Sequence, residues 1–495
     1  MTTRGWVWAT FGLVLLPLIG WWTYGLFDLD EGFYGAVTAE MARRGEWITP
    51  YFNGSPWFEK PILLYWLARP CMQLFGDMIG PRMPSVICSL LLAWTIFKLA
   101  RPVIGLSGAL ASVLVCAPSL LMVALGRMMM TDMPLIVAFT AAMLLLYRSM
   151  TDRPQWRWAV GACVGLAVLA KGPVAILLTV GVLIWTYWRQ PELRKGLKGG
   201  WHWAILACLA VISTWYVPCY LANGEVFVQK FLVEQNLRRF QGGDTAHAVP
   251  WPMSWLFYPL ILLLGMAPWS GKFWQARPWT LAPSDSRNFL RFCSGWAFVV
   301  FAFFLIGSAK LVHYIAPAVP PLAICLGSFI ASRHFRDEDG IMQDPAPTWS
   351  FLQPFAITAF CQFVIANAGF LAYYYGAFGN DSHAEIHALA KMCRGKGAEV
   401  AVYKLSRQSA DQGTGKLQLQ QTSHPSVVMV VNQNVLDLNE LSQLESAQTP
   451  LWVITRTGRI SINDENRLGE RGRFLRRVPT APMQHYELYR LESAN

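Results

Sequence analysis

Long apolar runs separated by short polar or basic segments fill the chain up to about residue 376. A helix needs about 17–25 apolar residues to cross a bilayer. Runs of that order lie near 6–24, 82–100, 104–124, 132–148, 157–171, 173–188, 201–220, 254–274, 290–308, 312–331 and 351–376. The pattern predicts a mainly α, polytopic membrane protein of about eleven transmembrane helices. The run 6–24 lacks a small-x-small cleavage signal and ends in Trp21, Trp22 and Tyr24, residues suited to the headgroup layer. It reads as a retained span rather than a signal peptide. A twelfth run, 61–76, includes Pro61, Arg69 and Pro70 directly after Lys60, and reads as an amphipathic segment lying at the interface.

The pattern changes after residue 377. Short β-type runs at 398–404, 426–431, 450–456 and 484–491, with helical patterns at 382–396 and 435–446, predict a small soluble α/β domain. The expected division is a transmembrane domain over 1–377 and a soluble domain over 378–495.

Composition agrees with this picture. Hydrophobic residues make up 54% of the 495 and charged residues only 14%, against roughly 25% charged in soluble domains. The net charge of +11 invites a nucleic-acid partner. Placement argues against one, because most Lys and Arg fall in short loops between apolar runs. Those loops contain Lys98 and Arg101, Arg148 to Arg157, Arg189 to Lys198, Lys272 to Arg291, and Arg333 with Arg336. All fall on one side if the spans alternate, which the positive-inside rule makes cytoplasmic. The opposite side receives 25–80, the turn from Arg127 to Asp132, Lys171, the loop 222–253, Lys310 and everything after 377. The ten cysteines are scattered without a C-x-x-C pair and read as small buried hydrophobes.

Ionisable groups at membrane depth are costly, so each is a candidate for function. The first outer loop is the richest. Asp28, Asp30 and Glu31 follow the first exit, and Glu59 and Lys60 precede the interfacial run. Bland readings exist for both sets. The acids suit the N-terminus of a helix over 33–44, and Lys60 suits an interface anchor.

The loop reads D-E-G-F-Y from Asp30 to Tyr34, then N-G-S-P-W-F-E-K-P-I-L-L-Y-W from Asn53 to Trp66. Four further turns follow in order. They are R-M-M-M-T-D from Arg127 to Asp132, L-A-K-G-P-V from Leu169 to Val174, E-Q-N-L-R-R-F from Glu234 to Phe240, and S-A-K-L-V-H-Y-I-A-P from Ser308 to Pro317. Together they resemble the aminoarabinose-transferase branch of the GT-C glycosyltransferases, within the protein-O-mannosyltransferase superfamily. The resemblance spans roughly residues 25–320. It implies a bacterial inner-membrane enzyme with its site on the periplasmic face, an inverting mechanism and a polyprenyl-phosphate sugar donor. The acceptor would be lipid A or another envelope molecule.

Breaking an anomeric C–O bond leaves negative charge growing on the departing phosphate, which fixed cations stabilise in a partly dry site. Lys60, Arg127, Lys171, Arg239 and Lys310 are the candidates for that cluster. The resemblance assigns the carboxylate facing the nucleophile to Asp30 and gives Asp132 the task of holding the basic groups. Tyr34, Glu59, Glu234 and Tyr314 are expected to contact donor or acceptor.

Two departures from the family pattern matter. Phe33 stands where relatives usually have Arg. Gln235 stands where they usually have His, and Gln is a poor zinc ligand. No metal is therefore expected; a divalent ion near Glu59 would find His247 and His313 as further candidate ligands, but a lone interface histidine is more often a hydrogen-bonded bystander. No P-loop or dinucleotide fingerprint occurs, as suits a lipid-linked donor. The rivals are a protein O-glycosyltransferase of the same superfamily and a transporter or flippase. The flippase class usually keeps its charges near the bilayer midplane in duplicated halves, whereas these sit at one face.

Overall fold

The computed structural model describes residues 3–238, 249, 252–273, 275, 284–335, 348–379, 381–405, 408–410, 417–419, 424–481 and 483–494. The apolar runs become helices. The first, α1 (Thr3–Leu15), passes into a 3₁₀ turn over Leu16–Leu18. It is shorter than the apolar run because Pro17 lies in that turn and Gly20 follows at φ 97°. The first loop contains α2 (Asp30–Arg44) and the two-residue strands β1 (Tyr51–Phe52) and β2 (Ser55–Pro56). Next come α3 (Leu63–Ile79) and α4 (Met83–Cys116). Gly105, at φ 73° and ψ 178°, breaks α4 into two legs at the junction of the runs 82–100 and 104–124.

The series continues with α5 (Leu120–Gly126), α6 (Asp132–Thr151), α7 (Arg157–Lys171), α8 (Val174–Arg189) and α9 (His202–Asn223). The short α10 (Glu225–Phe227) runs into a π-helical stretch, Val228–Arg238. Then follow α11 (Met253–Gly265), α12 (Ser284–Ile306), a 3₁₀ segment Val312–Ala318, α13 (Val319–His334) and α14 (Trp349–Tyr374).

Among the described residues, six helical stretches are long and apolar enough to cross a membrane, and three shorter apolar helices accompany them. The expected apolar runs are thus helical over most of their described length.

Two compact units emerge from this chain. The first gathers the residues up to Trp21, Phe58–Leu67 and Arg82–Asn367. Small residues let its helices approach closely, as in other membrane bundles. A Cβ at Gly161 of α7 would lie 1.8 Å from the Ala204 carbonyl oxygen of α9. The outward faces of these helices are apolar; Ile205, Leu206 and Leu209 of α9 are all more than half exposed. Water would not tolerate such a surface, whereas lipid solvates it.

The second unit gathers Trp22–Trp57, Ala68–Pro81 and the chain from Ala368 onward. It holds α15 (His383–Cys393), β3 (Glu399–Tyr403), the hairpin β4 (Gln408–Ala410) and β5 (Leu417–Leu419), α16 (Pro425–Val431), β6 (Val435–Leu438) and α17 (Leu441–Ser446). These are followed by β7 (Leu451–Arg456), α18 (Ile462–Glu470), β8 (Arg473–Arg477) and β9 (Tyr486–Ser493). One five-stranded sheet has the order β6-β3-β7-β9-β8. β6, β3 and β7 are parallel, and β9 pairs antiparallel with β7 and β8. Ala401, Tyr403, Leu451, Val453, Leu468 and Leu491 form its core.

Two expectations about this region are corrected. Residues 426–431, expected as a strand, are helix α16, and the strand lies at Val435–Leu438 inside the stretch expected to be helical. A continuous run such as Val427, Val428, Met429 and Val431, buried on all sides, has no period that separates the two states. Pro425 at the helix start and Asn432 at φ 62° just past its end set the helical boundaries.

Candidate active site

The Lys-Gly-Pro turn ends α7. Lys171 is its last residue, and Gly172, at φ 90° and ψ −168°, reverses the chain before α8 starts at Val174. That backbone conformation favours glycine. Asp132 is the first residue of α6 and is buried, with 1% of its side chain exposed. Its Oδ1 accepts a hydrogen bond from Lys171 Nζ at 2.5 Å. Each charge sits where the helix dipole favours it, the carboxylate at an N-terminus and the ammonium at a C-terminus. Among the described residues, Asp132 Oδ2 is buried with no hydrogen-bond partner. Lys60 and His313 are close enough to act on the Asp132 charge.

Lys171 remains 14% exposed and lies 4.8 Å from the Tyr314 ring centre. It faces a cavity of about 400 Å³ shared with Glu59, Lys60, Gln235 and Tyr314. Apolar side chains complete the wall, among them Leu135, Val174, Leu177, Phe231 and Phe304. The cavity wall therefore combines two ammonium groups with hydrocarbon. That combination suits a phosphate ester attached to an apolar tail.

Other expected cations are engaged elsewhere. Arg127 is fully buried, and its guanidinium donates to the Pro17 and Ile19 carbonyls, both at 3.2 Å, and to Asn367 Oδ1 at 3.0 Å. It clamps the turn after α1 to α14. Lys310 Nζ donates to the carbonyls of Phe304, Leu305 and Gly307 at 3.0, 2.5 and 2.7 Å, capping the end of α12. Three ammonium hydrogens meet three carbonyls, while the neighbouring Ser308 and Ala309 line the cavity. Glu234 is exposed on the π-helical stretch, one residue before the cavity-lining Gln235. Arg239 and His247 lie outside the described residues. Among the described residues, no group of three or more His, Cys, Asp or Glu side chains gathers in metal-holding geometry.

Asp30 and Tyr34 belong to the second unit. Asp30 opens α2, is exposed, and accepts a hydrogen bond from the Tyr34 hydroxyl at 3.3 Å. Asp28, two residues earlier, does not cap its own helix; α2 begins after Leu29 with no side-chain cap. Its carboxylate instead accepts from the Ser426 backbone N–H at 2.8 Å, the Ser426 hydroxyl at 2.7 Å and His424 Nδ1 at 3.1 Å. The Asp28 N–H donates to His383 Nε2 at 3.1 Å. Burial would raise the carboxyl's pKa, but the His424 hydrogen bond and the nearby imidazoles outweigh it and hold it below its ordinary value. Burial pushes His387 down to about 3, with only partial compensation from Asp28. No sequence spacing announces this cluster, because the partners of Asp28 lie 355 to 398 residues from it.

Comparison with known proteins gives this geometry its context. Residues 59–217 match the family described as dolichyl-phosphate-mannose-protein mannosyltransferase. Over 99% of its length the chain superposes on the crystal structure of ArnT from Cupriavidus metallidurans bound to undecaprenyl phosphate, covering 98% of that protein with a TM-score of 0.75. The fold is similar to that of this aminoarabinose transferase. At 19% identity the structural likeness shows the shared GT-C fold. Sequence relatives include the undecaprenyl phosphate-alpha-4-amino-4-deoxy-L-arabinose arabinosyl transferases of Shewanella sediminis, 32% identical over 337 residues, and Photorhabdus laumondii, 30% identical over 324. Those matches cover 65% and 64% of this chain. They span 58% and 57% of the relatives, so a large part of each relative has no counterpart in the match.

Proposed function

We propose that this protein is an integral membrane glycosyltransferase that moves a sugar from a polyprenyl-phosphate donor to lipid A or another envelope acceptor. The reaction is assigned to the periplasmic face of the bacterial inner membrane, with inversion at the anomeric carbon. The observation that supports this most is the cavity that Lys60 and Lys171 line together with mostly apolar side chains. The phosphate sits against the two ammonium groups and the polyprenyl chain follows the hydrocarbon wall. As the C–O bond breaks, both cations stabilise the charge left on the phosphate. Asp132 holds Lys171 in place through its 2.5 Å hydrogen bond.

Asp30 is assigned as the carboxylate that orients or deprotonates the acceptor hydroxyl, and Tyr34, Glu59, Glu234 and Tyr314 as donor or acceptor contacts. Lys310 steadies the backbone of Phe304 and Gly307, which line the cavity, whereas Arg127 ties the turn after α1 to α14. The protein-acceptor reading draws support from the name of the matched family, which specifies a protein mannosyltransferase.

The test is transfer by the purified full chain in proteoliposomes supplied with synthetic polyprenyl-phosphate aminoarabinose and either lipid A or a membrane-protein extract. A mass increase of one sugar on lipid A supports the first acceptor, and sugar on protein supports the second. Donor left intact in both, with the protein folded, overturns the assignment.

A further inference from the structure

Resting on the assignment of Asp30 above, we infer that Asp28, Ser426 and His424 are positioning residues that fix the first turn of α2 and with it Asp30. Ser426 and His424, both beyond residue 377, act on this reading through Asp28 on the carboxylate that reacts.

The hydrogen-bond directions are mutually consistent. The Ser426 hydroxyl has one proton and gives it to Asp28, so His387 Nε2, 2.9 Å away, donates to the same oxygen. His387 Nδ1 then accepts from the Tyr374 hydroxyl at 3.1 Å. In the same way His424 donates from Nδ1 to Asp28 and accepts at Nε2 from the Tyr486 hydroxyl at 3.1 Å. Each of these two imidazoles has one donor and one acceptor role in the network. A buried carboxylate with three donors is held far more firmly than a surface one.

Shape adds a second, independent observation. A Cβ at Gly32 would lie 2.2 Å from Asp28 Oδ1 and 2.7 Å from the Ser426 nitrogen. At Gly35 it would lie 2.4 Å from Leu26 and 2.6 Å from the Met429 sulfur. The inner face of α2 is therefore seated directly on α16, with glycines where contact is tightest. The turn itself is closed by the Gly32 N–H to the Phe27 carbonyl at 2.9 Å and by the Phe27 N–H to Glu31 Oε2 at 3.0 Å. Asp30, by contrast, is exposed, and Tyr34 reaches it only at 3.3 Å. The rigidity that a reacting carboxylate needs comes from the anchored residues on either side of it.

The experiment is a double-mutant cycle in the full chain, reconstituted in proteoliposomes, between Ser426→Ala and Asp30→Asn. Ser426→Ala is expected to lower kcat at least tenfold while KM for the donor changes less than twofold. It is expected to add little in the Asp30→Asn background. Arg394→Ala, which breaks the exposed ion pair to Asp77, serves as the control and keeps wild-type kcat. Wild-type kcat in Ser426→Ala, or the same tenfold loss in both backgrounds, overturns the inference. Hydrogen exchange of residues 29–34 reads the anchoring without any reaction. Faster exchange in Ser426→Ala supports it, and unchanged exchange overturns it. Absence of transfer by the wild-type chain instead counts against the assigned reaction.

Discussion

An ammonium that ends one helix meets a carboxylate that begins another, and that contact decides what Lys171 can do. With Asp132 almost wholly buried beside it, removing Lys171 strands a charge in a dry site. Lys171→Met is therefore expected to cost about 3–5 kcal/mol of stability and to lower transfer at least 100-fold. The double variant Lys171→Met with Asp132→Asn removes both charges. It is expected to recover most of the melting temperature and none of the transfer, whereas recovered transfer would mean that Lys171 is structural alone. Arg127 behaves differently. Arg127→Met abandons the carbonyls of Pro17 and Ile19 and the Asn367 amide. The expected loss is about 3 kcal/mol, seen as a lower melting temperature, with KM for donor unchanged in the protein that stays folded. In sequence, Arg127, Lys310 and Lys171 are equally plausible phosphate ligands. What separates them is whether nearby backbone carbonyls use up their donors, and that depends on chain ends brought together by folding.

At the scale of elements, the turn Lys171-Gly172-Pro173 shows how local chemistry sets the site. Gly172→Ala places a Cβ on a residue at φ 90°, expected to cost about 1–3 kcal/mol and to move Lys171 away from Asp132. A lowered melting temperature together with a raised donor KM checks this; a lowered melting temperature alone would detach the turn from donor binding. The helices were the most legible elements. The apolar run at 157–171 coincides with α7, and that at 173–188 with α8 to within one residue, because hydrophobic length and a Gly-Pro break both act locally. The run 426–431 was misread because a segment buried on every side has no period. Asp28 looked like a cap for its own helix, and its true partners on α16 are separated from it by nearly the whole chain.

At the scale of the whole molecule, the buried histidines make the second unit sensitive to acid. His387 is neutral in the fold, with its pKa near 3, and would take up a proton near 6.5 when unfolded. A group depressed in this way stabilises the fold fully above 6.5, and its contribution falls continuously as pH drops toward 3. At pH 5 the loss from His387 alone is about 2 kcal/mol. His383, lowered by burial, and Asp28, whose own depressed pKa removes stability at still lower pH, act in the same direction. The groups facing His387 are Asp28, His383, His424 and Lys391, with Ser426 and Tyr374 as hydrogen-bond partners. Hydrogen-exchange protection factors across residues 383–393, which are corrected for the intrinsic pH dependence of exchange, are expected to fall between pH 7 and pH 5 in the wild-type chain and much less in His387→Gln; an equal fall in both would remove His387 as the cause.

On the function proposed above, Lys60 and Lys171 grip the phosphate of a polyprenyl carrier inside the largely apolar cavity that they line. Binding of undecaprenyl phosphate to the purified protein, followed by native mass spectrometry against unphosphorylated undecaprenol, tests it without reference to any sugar. A clear preference for the phosphate is expected in the wild-type chain, with at least a tenfold weaker complex in Lys60→Ala and in the Lys171→Met, Asp132→Asn pair. Equal binding of phosphate and alcohol, or an affinity indifferent to both lysines, would contradict it.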